Sequence, residues 1–219
     1  MKKVISFSLW GNDPKYTIGA VRNSELAKTF FPDWICRFYI DKNSVPVDIV
    51  EKLRENSSEI IHTGEGNWDG MFWRFYAAED SDIMISRDCD SRLSQRDKVV
   101  VDEWLASGRK FHIVRDHPWH TTEILGGLWG VRDGLLTNIR RLITDWCASR
   151  PTGFVQVDQN FLRDVVYPMV KSDAFVHDEF LKYNSDAHKI NHVRVNKEHL
   201  GGVFDANDIP NEEHMRAIP

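Results

Sequence analysis

The sequence predicts an α/β fold, a single domain with a mostly parallel central sheet flanked by helices. Two observations carry this. Short apolar runs alternate with stretches whose apolar residues recur at helical spacing, from Val4 through to Val176. Strand, helix, strand in succession calls for crossover connections, which make neighbouring strands parallel. Several of the runs also discharge directly into turn-forming or acidic residues, and the sharpest is Ile83-Met84-Ile85, followed at once by Ser86-Arg87-Asp88-Cys89-Asp90.

Residues 4–9 form the first expected strand, closed by the turn residues Gly11, Asn12, Asp13 and Pro14. A helix is expected over about residues 16–31, with Ala20, Ala27, Phe30 and Phe31 on one side and Pro32 past its end. Residues 34–40 read as a second strand running into Asp41, residues 47–53 as a helix, and residues 59–62 as a third strand. After a glycine-containing loop over 64–70, residues 71–78 are aromatic and read as helical, and the Ile83 strand follows. Val100, Val101, Trp104 and Leu105 make a helical stripe, and residues 111–114 another strand. Residues 123–131 mix apolar residues with Gly126, Gly127 and Gly130, expected as one or two strands with close backbone approach. Ile139, Leu142, Ile143 and Trp146 are spaced as a helix face, as are Phe161 or Leu162, Val165 and Met169. Residues 174–176 are a last strand. From about residue 178 the chain is polar and weakly periodic, expected as a tail covering the site within one domain, 1–219.

With 219 residues the chain can bury a sizeable core, and 42% hydrophobic with 28% charged residues is the balance of a soluble globular domain. A net charge of −5 argues against a general nucleic-acid or membrane-surface binder. No run reaches membrane-spanning length. Three cysteines, Cys36, Cys89 and Cys147, cannot all pair and match no zinc spacing, which favours a reducing, cytoplasmic setting. The basic-then-apolar start reads as a first strand rather than a leader: its apolar part is short, holds two serines and lacks a small-residue cleavage site.

Two aspartates one residue apart at the end of a strand are well placed to hold a hard divalent cation and, through it, a diphosphate. The pattern alone is weak, since Asp80-Ser81-Asp82 repeats it. That copy precedes the strand, at the wrong end of a parallel sheet for ligand binding, and reads as a solvated turn. Position distinguishes Asp88 and Asp90 from that copy, and by position alone metal binding and an ordinary polar loop are equal readings of them.

The run Ile83-Met84-Ile85-Ser86-Arg87-Asp88-Cys89-Asp90-Ser91-Arg92 resembles the D-x-D region of GT-A-fold (Rossmann-like), nucleotide-sugar-dependent glycosyltransferases. The same order holds for Ser8-Leu9-Trp10-Gly11, the strand ending at Asp41, Gly126-Gly127-Leu128-Trp129-Gly130, Asp158-Gln159-Asn160-Phe161-Leu162 and Val176-His177-Asp178. Over about residues 3–180 the chain is most similar to small viral and bacterial sugar transferases of this fold. The resemblance implies a metal-dependent transferase, hexosyl or deoxyhexosyl, that moves a sugar from a nucleoside-diphosphate donor, UDP-linked, to a hydroxyl of a glycan or glycoconjugate acceptor.

It implies roles residue by residue. Asp90 would ligate Mn2+ (or Mg2+), Asp88 would contact ribose or donor sugar and the metal, and His177, after the last strand, would be a third ligand favouring manganese. By the residues alone His177, one of nine histidines, reads as a surface residue; the resemblance favours the ligand. Asp158 is expected to be catalytic, as acceptor base or donor-sugar contact, although a helix cap would suit an aspartate as well. Gln159 is expected on the donor face. Arg74 and Arg87 are expected at the diphosphate, each with a rival reading as a packed or ion-paired arginine. Asp41 would accept the imide of a uracil base, its rival being a strand-end turn; Ser8 and Trp10 would border the nucleotide. Trp119 and His120 are acceptor-side candidates by composition alone.

Two other functions remain open from the sequence. A sugar-nucleotide nucleotidyltransferase would carry a glycine-rich basic loop after the first strand, which Trp10-Gly11-Asn12-Asp13 is not. A non-catalytic nucleotide- or glycan-binding module would show no metal-enhanced affinity for UDP.

Overall fold

The computed structural model describes residues 1–219. β1 (Lys3–Leu9) leads into α1 (Pro14–Phe30), which starts where the Asp13 side chain accepts from the Lys15 N–H and Pro14 presets the first turn. β2 (Ile35–Asp41), α2 (Val47–Glu55) and β3 (Glu59–Thr63) follow, then a 3₁₀ segment (Trp68–Glu79) and β4 (Ile83–Ser86). α3 (Gln95–Ser107) begins on the Ser94 cap and stops at Gly108 in the left-handed conformation. β5 (Phe111–Arg115), β6 (Trp129–Arg132), α4 (Ile139–Cys147), α5 (Val157–Phe161), a π turn, α6 (Tyr167–Val170) and β7 (Ala174–Asp178) complete the layers, and α7 (Glu212–Ala217) lies near the C-terminus.

The seven strands form one sheet in the order β3-β2-β1-β4-β6-β5-β7, parallel except for β6, which runs antiparallel to both neighbours. Alternate residues of each strand point to opposite faces, so Val4 and Met84 join one apolar cluster while Ile5 and Ile85 join the other. α1, α2 and α3 cover the second cluster. The 3₁₀ segment, α4, α5 and α6 cover the first. The chain leaves β1 towards β2 and β3, then returns to pair β4 with the opposite edge of β1. That reversal opens a crevice at the carboxyl ends of β1 and β4, where ligands of open α/β sheets bind.

Three local expectations need correction. Residues 68–79 wind as 3₁₀ rather than α-helix. Side chains three apart eclipse in that geometry, which puts Phe72, Phe75 and Ala78 into the core while Met71 and Arg74 line the crevice. In residues 123–131 only the part from Trp129 is strand. The Gly126 carbonyl is occupied by the Ser86 hydroxyl (2.6 Å) and Arg74 Nε (3.2 Å), and the Leu128 N–H turns back to Leu125. Gly130 does meet the close approach foreseen, since a β-carbon there would stand 2.9 Å from Trp104 and 3.0 Å from Ile85. In the last helical stretch the π turn inserts an extra residue, so Val166 and Val170 are buried where Val165 and Met169 were expected; Met169 is exposed.

Candidate active site

The loop after β4 is shaped before any ligand arrives. Asn23 of α1 donates to the carbonyls of Cys89 and Ser91 and accepts from the Leu93 N–H. α1 comes close enough to do so because residue 19 is glycine: a β-carbon there would stand 2.1 Å from the Cys89 carbonyl oxygen. Cys89 is buried under the loop with its thiol 3.3 Å from the Ser8 carbonyl, which leaves Asp88 and Asp90 facing the crevice.

The crevice holds a cavity of about 710 Å³ lined by Ser8, Trp10, Arg74, Asp88, Asp90 and Gln159 among others. Behind Asp88 a smaller chamber of about 110 Å³ is lined by Arg74, Asp88, His120, Gly126, Gly127, Asp158 and Gln159. Arg74 joins the two. Its guanidinium contacts Asp88 Oδ1 at 2.9 Å and Asp158 Oδ2 at 2.7 Å, its Nε donates to Gly126, and its backbone N–H donates to the Ser8 hydroxyl (3.0 Å). Gly126 and Gly127 make this packing possible. A β-carbon on the first would stand 2.2 Å from Asp158 Oδ2, and on the second 2.0 Å from Asp88 Oδ2.

Asp158 sits in the first turn of α5 with no solvent exposure, and burial pushes its carboxyl above the usual range despite Arg74. Asp90 is likewise pushed up, first by burial and then by the charge of Asp88, although the Lys15 ammonium lies 2.8 Å from Oδ2. Three carboxylates thus share two cations, leaving a surplus of negative charge. The Asp116 N–H donates to His120 Nδ1 (3.0 Å), which puts the ring proton on Nε2; burial keeps the ring neutral.

The polar C-terminal segment lies over this region. Phe204 N–H donates to the Asp90 carbonyl (2.8 Å), and Arg92 reaches Asp208 Oδ1 and the Asp205 carbonyl. Fully buried Asp116 receives Arg96, Arg194 and the Leu200 N–H, anchoring the segment at the end of β5. Gly201, Val203 and His214 become cavity wall.

Of the residues expected from the sequence, Ser8, Trp10, Arg74, Asp88, Asp90, Asp158 and Gln159 meet in these two connected cavities. Three do not. His177 is fully buried in β7, three strands away from β4, with Nδ1 2.9 Å from His112 and Nε2 2.7 Å from Glu103 of α3. As the fourth residue of the strand it points to the α3 face, not to the crevice. Arg87 is buried against α3, its Nε 2.9 Å from Asp97, an ion pair of the kind its rival reading named, and it lines neither cavity. Asp41 is buried in its own strand-end turn, accepting from Asn43 N–H, the Ser44 hydroxyl and Gly66 N–H; these bonds hold its carboxyl below the usual range. It is linked to the large cavity through Gly66, which packs on the lining residue Trp10. Asp80 and Asp82 pair with Arg37 and the N-terminal backbone at the far end of the sheet, as a solvated turn would.

Lys15, His214, Gly201 and Val203 were missed. Lys15 is one of many helix-start cations and the others lie in the weakly patterned tail, so no local signal marks them. His120, chosen on composition, does line the inner chamber, while Trp119 is exposed and packs on His117 and His214.

Two carboxylates of one loop border a cavity that carries excess negative charge, and carboxylate oxygens are the donors a hard divalent ion takes. No three histidine, cysteine or carboxylate side chains stand close enough to hold a metal by themselves. Diphosphate oxygens would complete the set.

The sheet order, the crevice and the site together define the class: this is a GT-A-type glycosyltransferase fold. Among solved structures the chain is similar to an active-site mutant of LgtC (11% identity, TM-score 0.54, covering 93% of this chain and 88% of that one). It is also similar to the galactosyltransferase LgtC in complex with donor and acceptor sugar analogues (12%, 0.51, 81% and 73%). A third is glucosyl-3-phosphoglycerate synthase from Mycobacterium tuberculosis, crystallised with Mn2+, uridine diphosphate and glucosyl-3-phosphoglycerate (13%, 0.49, 80% and 68%). No protein-family model and no curated protein sequence matches the chain. No helix is long and apolar enough to cross a membrane, and the three cysteines are free.

Proposed function

We propose that the protein is a metal-dependent glycosyltransferase that moves a hexosyl or deoxyhexosyl group from a UDP-sugar to a hydroxyl of a glycan or glycoconjugate acceptor. The observation that carries this is the pair of connected cavities at the β1/β4 switch point. The larger has room for a nucleoside diphosphate beside Asp88 and Asp90, and the smaller, lined by Arg74, Asp158, Gln159 and His120, is a polar recess that would take one edge of the sugar. In this reading Trp10 and Ser8 border the nucleoside. Asp90, with Asp88 beside it and diphosphate oxygens completing the set, would hold Mn2+ or Mg2+, which when bound supplies Lewis-acid stabilisation of the leaving diphosphate.

The chain's own residues do the rest. Arg74 fixes Asp88 and Asp158 at the boundary between the two cavities and keeps positive charge where negative charge grows. His120 Nε2–H and the Gln159 amide are hydrogen-bond donors for sugar hydroxyls. Asp158 is tied to Arg74 and its own helix turn, so it orients the sugar rather than stripping a proton while that pair holds. The tail over Asp90 excludes bulk water.

The test is manganese-stimulated hydrolysis of UDP-sugars by the wild type and Asp90→Ala, scored by UDP release. Loss of at least about 10²-fold in the variant is expected, the scale of removing one transition-state stabiliser. Full metal-independent activity in Asp90→Ala overturns the mechanism. UDP binding that calorimetry finds indifferent to manganese overturns the transferase reading in favour of a binding module.

A further inference from the structure

We propose that Lys15 is a built-in counter-ion that holds the cation position of Asp90 until metal arrives and is then released towards the donor diphosphate. The inference rests on the metal-dependent reading above and adds a residue that the D-x-D pattern does not contain.

The Lys15 ammonium lies 2.8 Å from Asp90 Oδ2, 3.4 Å from the Tyr16 hydroxyl and 4.8 Å from the Tyr16 ring centroid. Asp90 and Tyr16 both line the large cavity, so the ammonium stands at its edge. A divalent ion on Asp90 and an ammonium on the same carboxylate repel each other strongly at this separation. Occupation by one therefore disfavours the other.

Arg74 cannot perform this exchange. Its guanidinium is 5% exposed and is tied to Asp88, Asp158 and Gly126 at once. Lys15 is one-third exposed, makes one charged contact, and carries a compact charge on a flexible four-carbon stem. Its backbone is fixed in the first turn of α1, between Asp13 and Tyr16, both cavity residues, so the released ammonium stays at the cavity mouth. The bare site needs Lys15 to offset Asp90. The loaded site holds a divalent ion and a diphosphate, and the diphosphate then offers the ammonium a better partner than Asp90 does. Lys15 is thus a positioning residue for the empty site and a diphosphate contact in the loaded one.

This predicts effects of opposite sign, which a purely structural ion pair does not produce. Free Mn2+ would be followed by electron paramagnetic resonance for the wild type, Lys15→Met and Lys15→Arg, without nucleotide and with UDP. UDP binding at saturating Mn2+ would be measured by calorimetry. Lys15→Met should bind Mn2+ alone about five- to tenfold more tightly than the wild type, and UDP in the presence of Mn2+ about five- to tenfold more weakly. Lys15→Arg, which keeps the charge, should return both towards wild type. Mn2+ affinity that is unchanged or weaker in Lys15→Met overturns the proposal, as does a shift of both affinities in one direction. If Mn2+ fails to bind all three proteins even with UDP, the metal-dependent reading itself is wrong and this inference falls with it.

Discussion

Replacing Arg74 by methionine removes the one cation that Asp158 possesses. Asp158 is fully buried and paired at 2.7 Å, whereas the Asp88 side chain keeps 39% of its exposure and is solvated once the guanidinium is gone. The cost therefore falls on Asp158. Breaking a buried ion pair from one side typically costs about 3–5 kcal/mol. A second route gives the same scale: protonating a carboxylate of ordinary acidity at pH 7 takes about three pH units at roughly 1.4 kcal/mol each, near 4 kcal/mol. The variant protein would take whichever route is cheaper. Its pH dependence follows from the sign of the shift. Burial already raises the folded-state carboxyl and Arg74 opposes that rise, so removing Arg74 raises it further. Between the unfolded and folded values the native state binds more protons, so stability falls as pH rises through that window. Urea denaturation of wild type, Arg74→Met and Arg74→Met/Asp158→Asn at pH 5 and pH 7 tests this. The single variant should lose about 3–5 kcal/mol at pH 7 and less at pH 5, and the double variant should recover most of the loss and be nearly independent of pH. A loss under about 1 kcal/mol, or no recovery in the double variant, would refute the buried-charge account.

Gly127→Ala places a β-carbon where Asp88 Oδ2 now lies, so donor turnover should drop about 10²-fold with a smaller effect on the urea midpoint, read by UDP release. Arg87→Met should cost about 3–5 kcal/mol in urea, because Asp97 is left buried and unpaired, with UDP affinity by calorimetry unchanged; a large affinity loss would restore the phosphate role. Burial holds His112, His120, His177, His199 and His214 below the ordinary histidine value, His199 down to about 4. The unfolded chain binds more protons below about pH 6.5, so stability is lost as pH falls from 7 to 5. His199→Gln should remove about 1 kcal/mol of that loss, allowing for the ring's partial exposure, as measured by urea midpoints across that range.

Much of the site was legible because its parts sit next to strand ends. β4 stops at Ser86, and a chain leaving the carboxyl end of a parallel strand must deliver Asp88 and Asp90 to the crevice, whatever its neighbours do. The same logic separated these residues from Asp80 and Asp82, which enter the strand rather than leave it. Ser8 and Trp10 follow β1 in the same way. Where position beside a strand was not enough, the expectation failed. Arg87 and His177 are adjacent to strand ends too, but each points to the α3 face, and which face a residue takes depends on register and on partners such as Asp97 and Glu103.

By itself the sequence determined the alternation of strands and helices, the parallel sheet, and the acidic loop at a strand terminus. These are consequences of periodicity and of where apolar runs end, and both are local. Only the tertiary structure decided that Arg74 reaches Asp158, 84 residues further along the chain, and ties it to Asp88, and that Gly126 and Gly127 leave room for them. It alone brought Lys15 from the start of α1 to Asp90, and His214 from the last short helix to the wall of the cavity that Asp90 lines. Charges far apart in the chain are brought together by the packing of the elements that carry them, and no spacing within the sequence records that distance.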